Sequence, residues 1–292
     1  MRLHLVDGTY ELFRAHFSRR PDRRDPDGRD VKATTGLVES LLALLHDERE
    51  AVTHVAVAFD NPIESWRNER FPGYKSSDGM DPALLAQFDR AEEAVRALGV
   101  TMWSMDRHEA DDALATAAAR WSDQVDQVRI LTVDKDLGQC LRGERVVQVD
   151  RRRERVIDEP ALRALRGVGP ASIPDWLALV GDTADGLPGI PGFGERSAAA
   201  VLAVFEHLEA IPTLGLRWQD VDVRGRQRLA ATLAERFEEA LLYRELATLA
   251  NDVPLADKLD DLAWAGVPRE RFTAWCQAIG VERLAHRPAR WA

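Results

Sequence analysis

Residues 128–136 read VRILTVDKD, an apolar run followed at once by a carboxylate. A short apolar stretch without polar alternation marks a strand buried on both faces, as in a parallel sheet covered by helices. Outward from it, 53–60 (THVAVAFD) repeats the pattern and again ends in aspartate, and 3–7 (LHLVD) is a third such run, closing at Asp7-Gly8. Between these runs the apolar spacing becomes helical over Thr34–Leu45, Ala83–Leu98 and the alanine-rich Ala110–Trp121, with Val100–Trp103 as a further short strand. Strands alternating with helices predict an α/β domain with a parallel sheet. Ligands of such sheets bind at the carboxyl ends of the strands, which is where these aspartates stand.

Two segments interrupt the order. Arg19–Asp30 has no apolar residue other than proline and reads as a solvated loop, and Phe71–Pro82 (FPGYKSSDGMDP) reads as a mobile connection. From about Pro160 the strand signal fades and helical spacing takes over. The expected division is therefore 1–159 and 160–292. The 292 residues, 45% hydrophobic and 30% charged, have room for a core domain with an elaborated second part, which excludes a disulfide-stapled miniprotein or a disordered tail. Cys140 and Cys276 lie in neither a CxxC nor a zinc spacing and read as apolar thiols. No run reaches the roughly 18 apolar residues of a membrane helix, and the start MRLHLVDGTY lacks a signal-peptide core, so the expectation is a soluble, cytoplasmic protein with no membrane partner.

The net charge of −10 runs against nucleic-acid binding until the acids are located. Asp7, Asp60, Glu109, Asp111, Asp112, Asp134, Asp136, Asp182 and Asp185 all stand next to strand ends or tight turns, and these nine account for nine of the ten excess negative charges. Taken singly, each has an ordinary reading: Asp7 and Asp60 as loop caps, Glu109, Asp111 and Asp112 as the acidic first turn of a helix, Asp134 and Asp136 as caps. Together they point to one acidic site. Converging carboxylates repel one another unless cations are present. Oxygen ligands without His or Cys select hard ions, so Mg²⁺ or Mn²⁺ is the expected occupant. Only four of the 39 cations are lysines (Lys32, Lys75, Lys135, Lys258), and such arginine loading fits a coding bias as well as phosphate recognition.

Leu177–Ala199 reads LALVGDTADGLPGIPGFGERSAA: helix, glycine-rich hairpin, helix, spanning about 172–206. Gly189, Gly192 and Gly194 leave room for backbone N–H groups at a helix N-terminus to approach a phosphate, and Arg196 follows as a phosphate partner. Such contacts hold nucleic-acid backbone without reading sequence. A dinucleotide fold is excluded, because no strand precedes the glycines.

In order, LVDGTYELFRAHF (5–17), VAFD (57–60), FPGYK (71–75), HEADD (108–112), TVDKDLGQ (132–139) and GDTADGLPGIPGFGERSA (181–198) resemble the 5′-nucleases: 5′→3′ exonucleases, flap endonucleases and the nuclease domain of DNA polymerase I. The resemblance runs from about Leu3 to Leu255. It implies a PIN-like parallel sheet flanked by helices, a helical arch at about 66–98 and a C-terminal helix-three-turn-helix DNA-binding part. It implies DNA phosphodiester hydrolysis in replication or repair with two Mg²⁺ (Mn²⁺ substituting) on the nine acids, and a monovalent cation at the hairpin. Lys75 and Arg14 are then expected beside the scissile phosphate and Tyr74 at the DNA. The implied partners are DNA 5′ ends, flaps and nicks, with RNA primer strands also in range, for a monomeric, free-standing enzyme. Three positions depart from the family pattern: Asp78 where an arginine is expected, with Arg67 or Arg70 as compensation, Gly138 for a common tyrosine, and Gly186 for a frequent asparagine. The rival readings are a PIN-type ribonuclease and a non-catalytic DNA-binding relative.

Overall fold

The computed structural model describes residues 1–292, which packing divides into two compact units. The first comprises Met1–Ser65, Ser77–Thr132 and Asn251–Ala292; the second comprises Trp66–Ser76 and Val133–Ala250.

In the first unit the chain runs β1 (Arg2–Asp7), α1 (Gly8–His16), α2 (Lys32–Leu45) and β2 (His54–Asp60). After α3 (Trp66–Arg70), which belongs to the second unit, follow α4 (Pro82–Leu85), α5 (Phe88–Ala97), β3 (Thr101–Met105), α6 (Ala110–Trp121) and β4 (Gln127–Leu131). The four strands pair in parallel in the order β3-β2-β1-β4, with Val6 opposite Val57 on one side and Leu131 on the other. Every residue of β2 is buried, so the unalternating apolar run is what two covered faces require.

Two expected elements end differently. The helix read over Ala83–Leu98 is two, α4 and α5, and the buried Gln87 between them turns its carboxamide oxygen to the backbone N–H (3.0 Å) and hydroxyl (3.2 Å) of Thr34 in the first turn of α2. Strand β4 stops at Leu131 rather than Val133, and the next residue, Thr132, donates its hydroxyl to Asp7 Oδ2 at 2.9 Å. The expected arch at 66–98 contains no free-standing helix: α5 buries Phe88, Ala91, Ala94, Val95 and Ala97. Packing divides the chain elsewhere than at the expected cut of 159/160. Residues 251–292, with α12 (Arg269–Ala278), return to the first unit, where Val253 N–H donates to Thr116 Oγ1 (3.1 Å) and Trp264 Nε1 to Leu98 O (3.1 Å).

The second unit contains α3, the antiparallel pair β5 (Val146–Asp150) and β6 (Arg155–Ile157), and α7 (Glu159–Arg166), α8 (Ile173–Val180), α9 (Glu195–Phe205), α10 (Arg226–Glu235) and α11 (Phe237–Ala247). The strand pair is absent from the sequence reading; β6 is three residues long and mostly exposed, whereas β5 is wholly buried. The apolar core gathers Trp176, Leu177, Leu202, Trp218, Leu229 and Leu246. No helix of the chain is long and apolar enough to cross a membrane.

Candidate metal centre

Five of the nine predicted acids belong to the first unit. Asp7 ends β1 and caps α1, its Oδ1 accepting from Tyr10 N–H at 2.8 Å. Asp60 ends β2, and its Oδ1 accepts from Ala110 N–H at 2.7 Å, tying the start of α6 to the carboxyl edge of the sheet. Glu109 precedes α6 and accepts from Ser65 Oγ at 2.8 Å, while Asp112 reaches back to the Glu109 N–H at 3.0 Å. Asp111 is half-buried in the same turn. The capping reading is thus true of Asp7, Glu109 and Asp112, and it does not exclude the site reading. A carboxylate has about four lone-pair directions, so one or two hydrogen bonds leave capacity for a cation.

The other four lie in the second unit. Asp136, Asp182 and Asp185 are all buried, and ligand oxygens of the three lie within 4.8 Å of one another. Asp136 opens a 3₁₀ turn, Asp136–Cys140, two residues after Asp134, whose Oδ1 accepts from the Asp136 N–H at 2.9 Å. Asp182 and Asp185 come from a tight turn closed by Leu187 N–H donating to Asp182 O at 2.7 Å. Asp136 Oδ1 is buried with no hydrogen-bond partner. Burial first, and then the charges of Asp134, Asp185 and Asp182, push the Asp136 carboxyl well above the usual carboxylate range, against the pull of Lys135. An all-carboxylate donor set with an orphaned buried oxygen fits a hard divalent cation.

Two ammonium groups border this trio. Lys75 Nζ is 3.3 Å from Asp185 Oδ1, and Lys135 Nζ is 2.6 Å from Asp182 Oδ2. Lys135 escaped the sequence reading, although its position between two of the predicted acids was a signal. The segment carrying Lys75 is held by its own N–H donating to Asp185 O at 3.0 Å. Gly186 permits that approach, since a Cβ there would stand 2.1 Å from Gly73 O and its φ is +76°. An asparagine at this position would drive the two segments apart.

Several expected roles change. Tyr74 is buried in the core of the second unit, so its ring is a packing element rather than a platform for DNA. Arg67 does not replace the missing arch arginine: it is fully buried and donates to Leu246 O (2.7 Å) and Thr248 O (3.2 Å). Arg70 is committed to both oxygens of Glu245, and Asp78 is exposed. At Gly138 the space for a larger side chain is filled by Leu162 and Ile173. Arg14, on α1, is held by Glu11 and by Ser40 Oγ (2.9 Å), with a third of its side chain exposed.

The helix, hairpin, helix order of the sequence reading is present between α8 and α9. Gly189 and Gly192 take positive φ, Gly194 caps α9 with its N–H on Ser197 Oγ at 2.9 Å, and Arg196 is exposed in the first turn.

A family model described as the 5′-3′ exonuclease N-terminal resolvase-like domain matches residues 2–165, and one described as the 5′-3′ exonuclease C-terminal SAM fold matches residues 168–270. That junction lies near the boundary expected from sequence, whereas packing divides the chain elsewhere. The DNA polymerase I of Bacillus caldotenax is 32% identical over 287 residues, covering 96% of this chain and 32% of the relative. The DNA polymerase I of Pseudomonas aeruginosa is 34% identical over 272 residues, covering 92% and 29%. The chain therefore spans about a third of the length of the curated relatives it matches. Among solved structures, T5 5′-exonuclease with bound zinc has a TM-score of 0.66 at 17% identity, over 98% of this chain and 100% of that one. Human GEN1 in complex with Holliday junction DNA has a TM-score of 0.62 at 15% identity, over 95% and 67%. At such identities the likeness is one of fold.

Proposed function

The chain belongs to the 5′-3′ exonuclease family, and from that premise we propose that it is a structure-specific 5′ nuclease hydrolysing DNA phosphodiesters at 5′ ends, flaps and nicks in replication or repair. The observation that carries the proposal is the buried trio Asp136, Asp182 and Asp185, with an Asp136 oxygen that no donor satisfies. These carboxylates would hold one Mg²⁺, and the acids at the sheet edge of the first unit, Asp7, Asp60, Glu109 and Asp111, would supply ligands for the other. A divalent ion bound there supplies Lewis-acid stabilisation of the charge that develops as a phosphodiester is cleaved. Mn²⁺ would substitute on the same oxygens.

Lys75 presents an ammonium group to the phosphate, which carboxylates cannot stabilise. Arg14, oriented by Glu11 and Ser40, presents a guanidinium suited to bidentate phosphate binding. The backbone N–H groups of the hairpin and the exposed Arg196 hold the duplex through its phosphates, so selectivity is for shape and a 5′ end. A monovalent cation at the hairpin, RNA-primed 5′ strands as substrates, a monomeric state and a cytoplasmic location belong to the same proposal.

The test is one gel comparing 5′-flap, 3′-flap, nicked duplex and single-stranded DNA with single-stranded RNA, each in Mg²⁺ or EDTA. The expected outcome is Mg²⁺-dependent cleavage of the 5′-flap and nicked substrates. Preferential cleavage of single-stranded RNA would replace this reading with a PIN-type ribonuclease, and binding without cleavage in any metal would replace it with a non-catalytic DNA-binding protein.

A further inference from the structure

Two of the four lysines in this chain, whose other 35 cations are arginines, place their ammonium groups on the acid trio of the second unit. We infer that Lys135 is a built-in counter-ion of the metal-free acid site, one that a divalent cation displaces from Asp182 on entering. The inference rests on the reading of Asp136, Asp182 and Asp185 as a metal site.

Three carboxylates with oxygens within 4.8 Å of one another repel strongly unless a cation stands among them. Lys135 Nζ, 2.6 Å from Asp182 Oδ2, supplies that cation in the folded chain, and Lys75 does the same at Asp185 at 3.3 Å. The arrangement leaves Asp136 Oδ1 unsatisfied, so the cluster is neutralised only in part. A divalent ion carries twice the charge and binds carboxylate oxygens at about 2.0–2.1 Å in the case of Mg²⁺. It therefore competes with the ammonium for the same Asp182 oxygen.

Lysine suits an exchangeable counter-ion better than arginine. Its ammonium is a compact, well-hydrated point charge on a flexible stem, whereas a guanidinium fork grips a carboxylate through two parallel bonds. The Lys135 side chain is 28% exposed, so water is available to receive it when it leaves Asp182.

The experiment is calorimetric titration of Mn²⁺ into the metal-stripped full chain without DNA, for wild type, Lys135→Met and Lys135→Arg, with Asp136→Asn as the control that identifies this site in the isotherm. Lys135→Met should bind about fivefold tighter or more, the equivalent of about 1 kcal/mol, and Lys135→Arg should bind more weakly than wild type. Thermal melts give a second readout. Lys135→Met should lose stability in EDTA and regain the wild-type midpoint in saturating Mg²⁺. Affinity in Lys135→Met equal to or below wild type, or an equal loss of stability in EDTA and Mg²⁺, would overturn the inference by making Lys135 a fixed brace, and the metal reading of the trio would survive. An isotherm that Asp136→Asn leaves unchanged would overturn the metal reading, and the inference with it.

Discussion

Asp136 is held where a carboxylate is disfavoured: 5% exposed, one oxygen without a donor, and beside Asp134, Asp182 and Asp185. Its pKa in the fold lies above the ordinary 3.8, so the folded state loses stability through this group as pH rises above that value. Asp136→Asn should therefore raise the melting temperature in EDTA at neutral pH, because it removes one like charge from beside Asp134, Asp182 and Asp185. It should also abolish cleavage. A melting temperature at or below wild type in EDTA would show that the carboxylate is not isolated. Lys75 makes the opposite contribution. If it meets charge that grows in the transition state, Lys75→Ala should slow single-turnover cleavage of a 5′-flap by about 10²- to 10³-fold, as for a lost oxyanion-hole donor, with little change in a Ca²⁺ binding isotherm. A rate within about threefold of wild type would place Lys75 outside the chemistry. At this scale the acids were legible because each stands beside a strand end, at a helix start or in a tight turn. The fates of Tyr74 and Arg67 were not, because a side chain's burial depends on elements far away in sequence: Arg67 is fixed by carbonyls of Leu246 and Thr248.

The hairpin between α8 and α9 offers a matched pair of substitutions at the scale of the element. Gly194 has extended backbone, and a Cβ there meets nothing within 4 Å, whereas Gly192 has φ +91° and would bring a Cβ to 3.3 Å from Leu229 Cδ2. Gly194→Asp should thus place an anion in the phosphate path without straining the fold, weakening duplex binding and lowering the slope of log affinity against log salt by about 0.9 for each phosphate that is no longer neutralised. Gly192→Asp should weaken binding and also lower thermal stability. Unchanged affinity in Gly194→Asp would leave the hairpin as scaffold alone. The hairpin was legible because glycine spacing is a local property. The break between α4 and α5 was not, and neither was the bond of Gln87, which lies at that break, to the N-terminal turn of α2 more than 50 residues away.

For the whole molecule, the return of residues 251–292 to the first unit predicts that a fragment ending at Ala250 will not fold that unit. Val267, Phe272 and Cys276 are fully buried, and losing them exposes the surfaces they cover. The fragment should be rapidly digested in limited proteolysis, and protease resistance equal to the full chain would refute this. A second global property is acid sensitivity. Burial holds His4 below its ordinary 6.5 despite its hydrogen bond to Glu50, and its Nδ1 has no partner to receive a proton's hydrogen bond. Glu50 is held at about 2, where the upward push of burial is outweighed by hydrogen bonds from His4 and Arg129. A histidine with a depressed folded pKa loses stability as pH falls below 6.5, while the contribution of Glu50 is present above 4.5 and fades only toward 2. Between pH 7.5 and 5 the decline should therefore come from His4 and not Glu50, and His4→Gln should flatten it in urea midpoints. An unaltered slope would assign it to His46 and His54, which burial also holds low. The sequence by itself determined the parallel sheet, the acids beside its strand ends and helix starts, and the glycine-rich hairpin between two helices, because periodicity, capping and glycine spacing are set by neighbours within a turn or two. Only the tertiary structure decided which acids converge, which lysines neutralise them, which aromatic and arginine are buried, and where the units divide, because charge pairing and burial depend on segments about 50 to 180 residues apart in the chain.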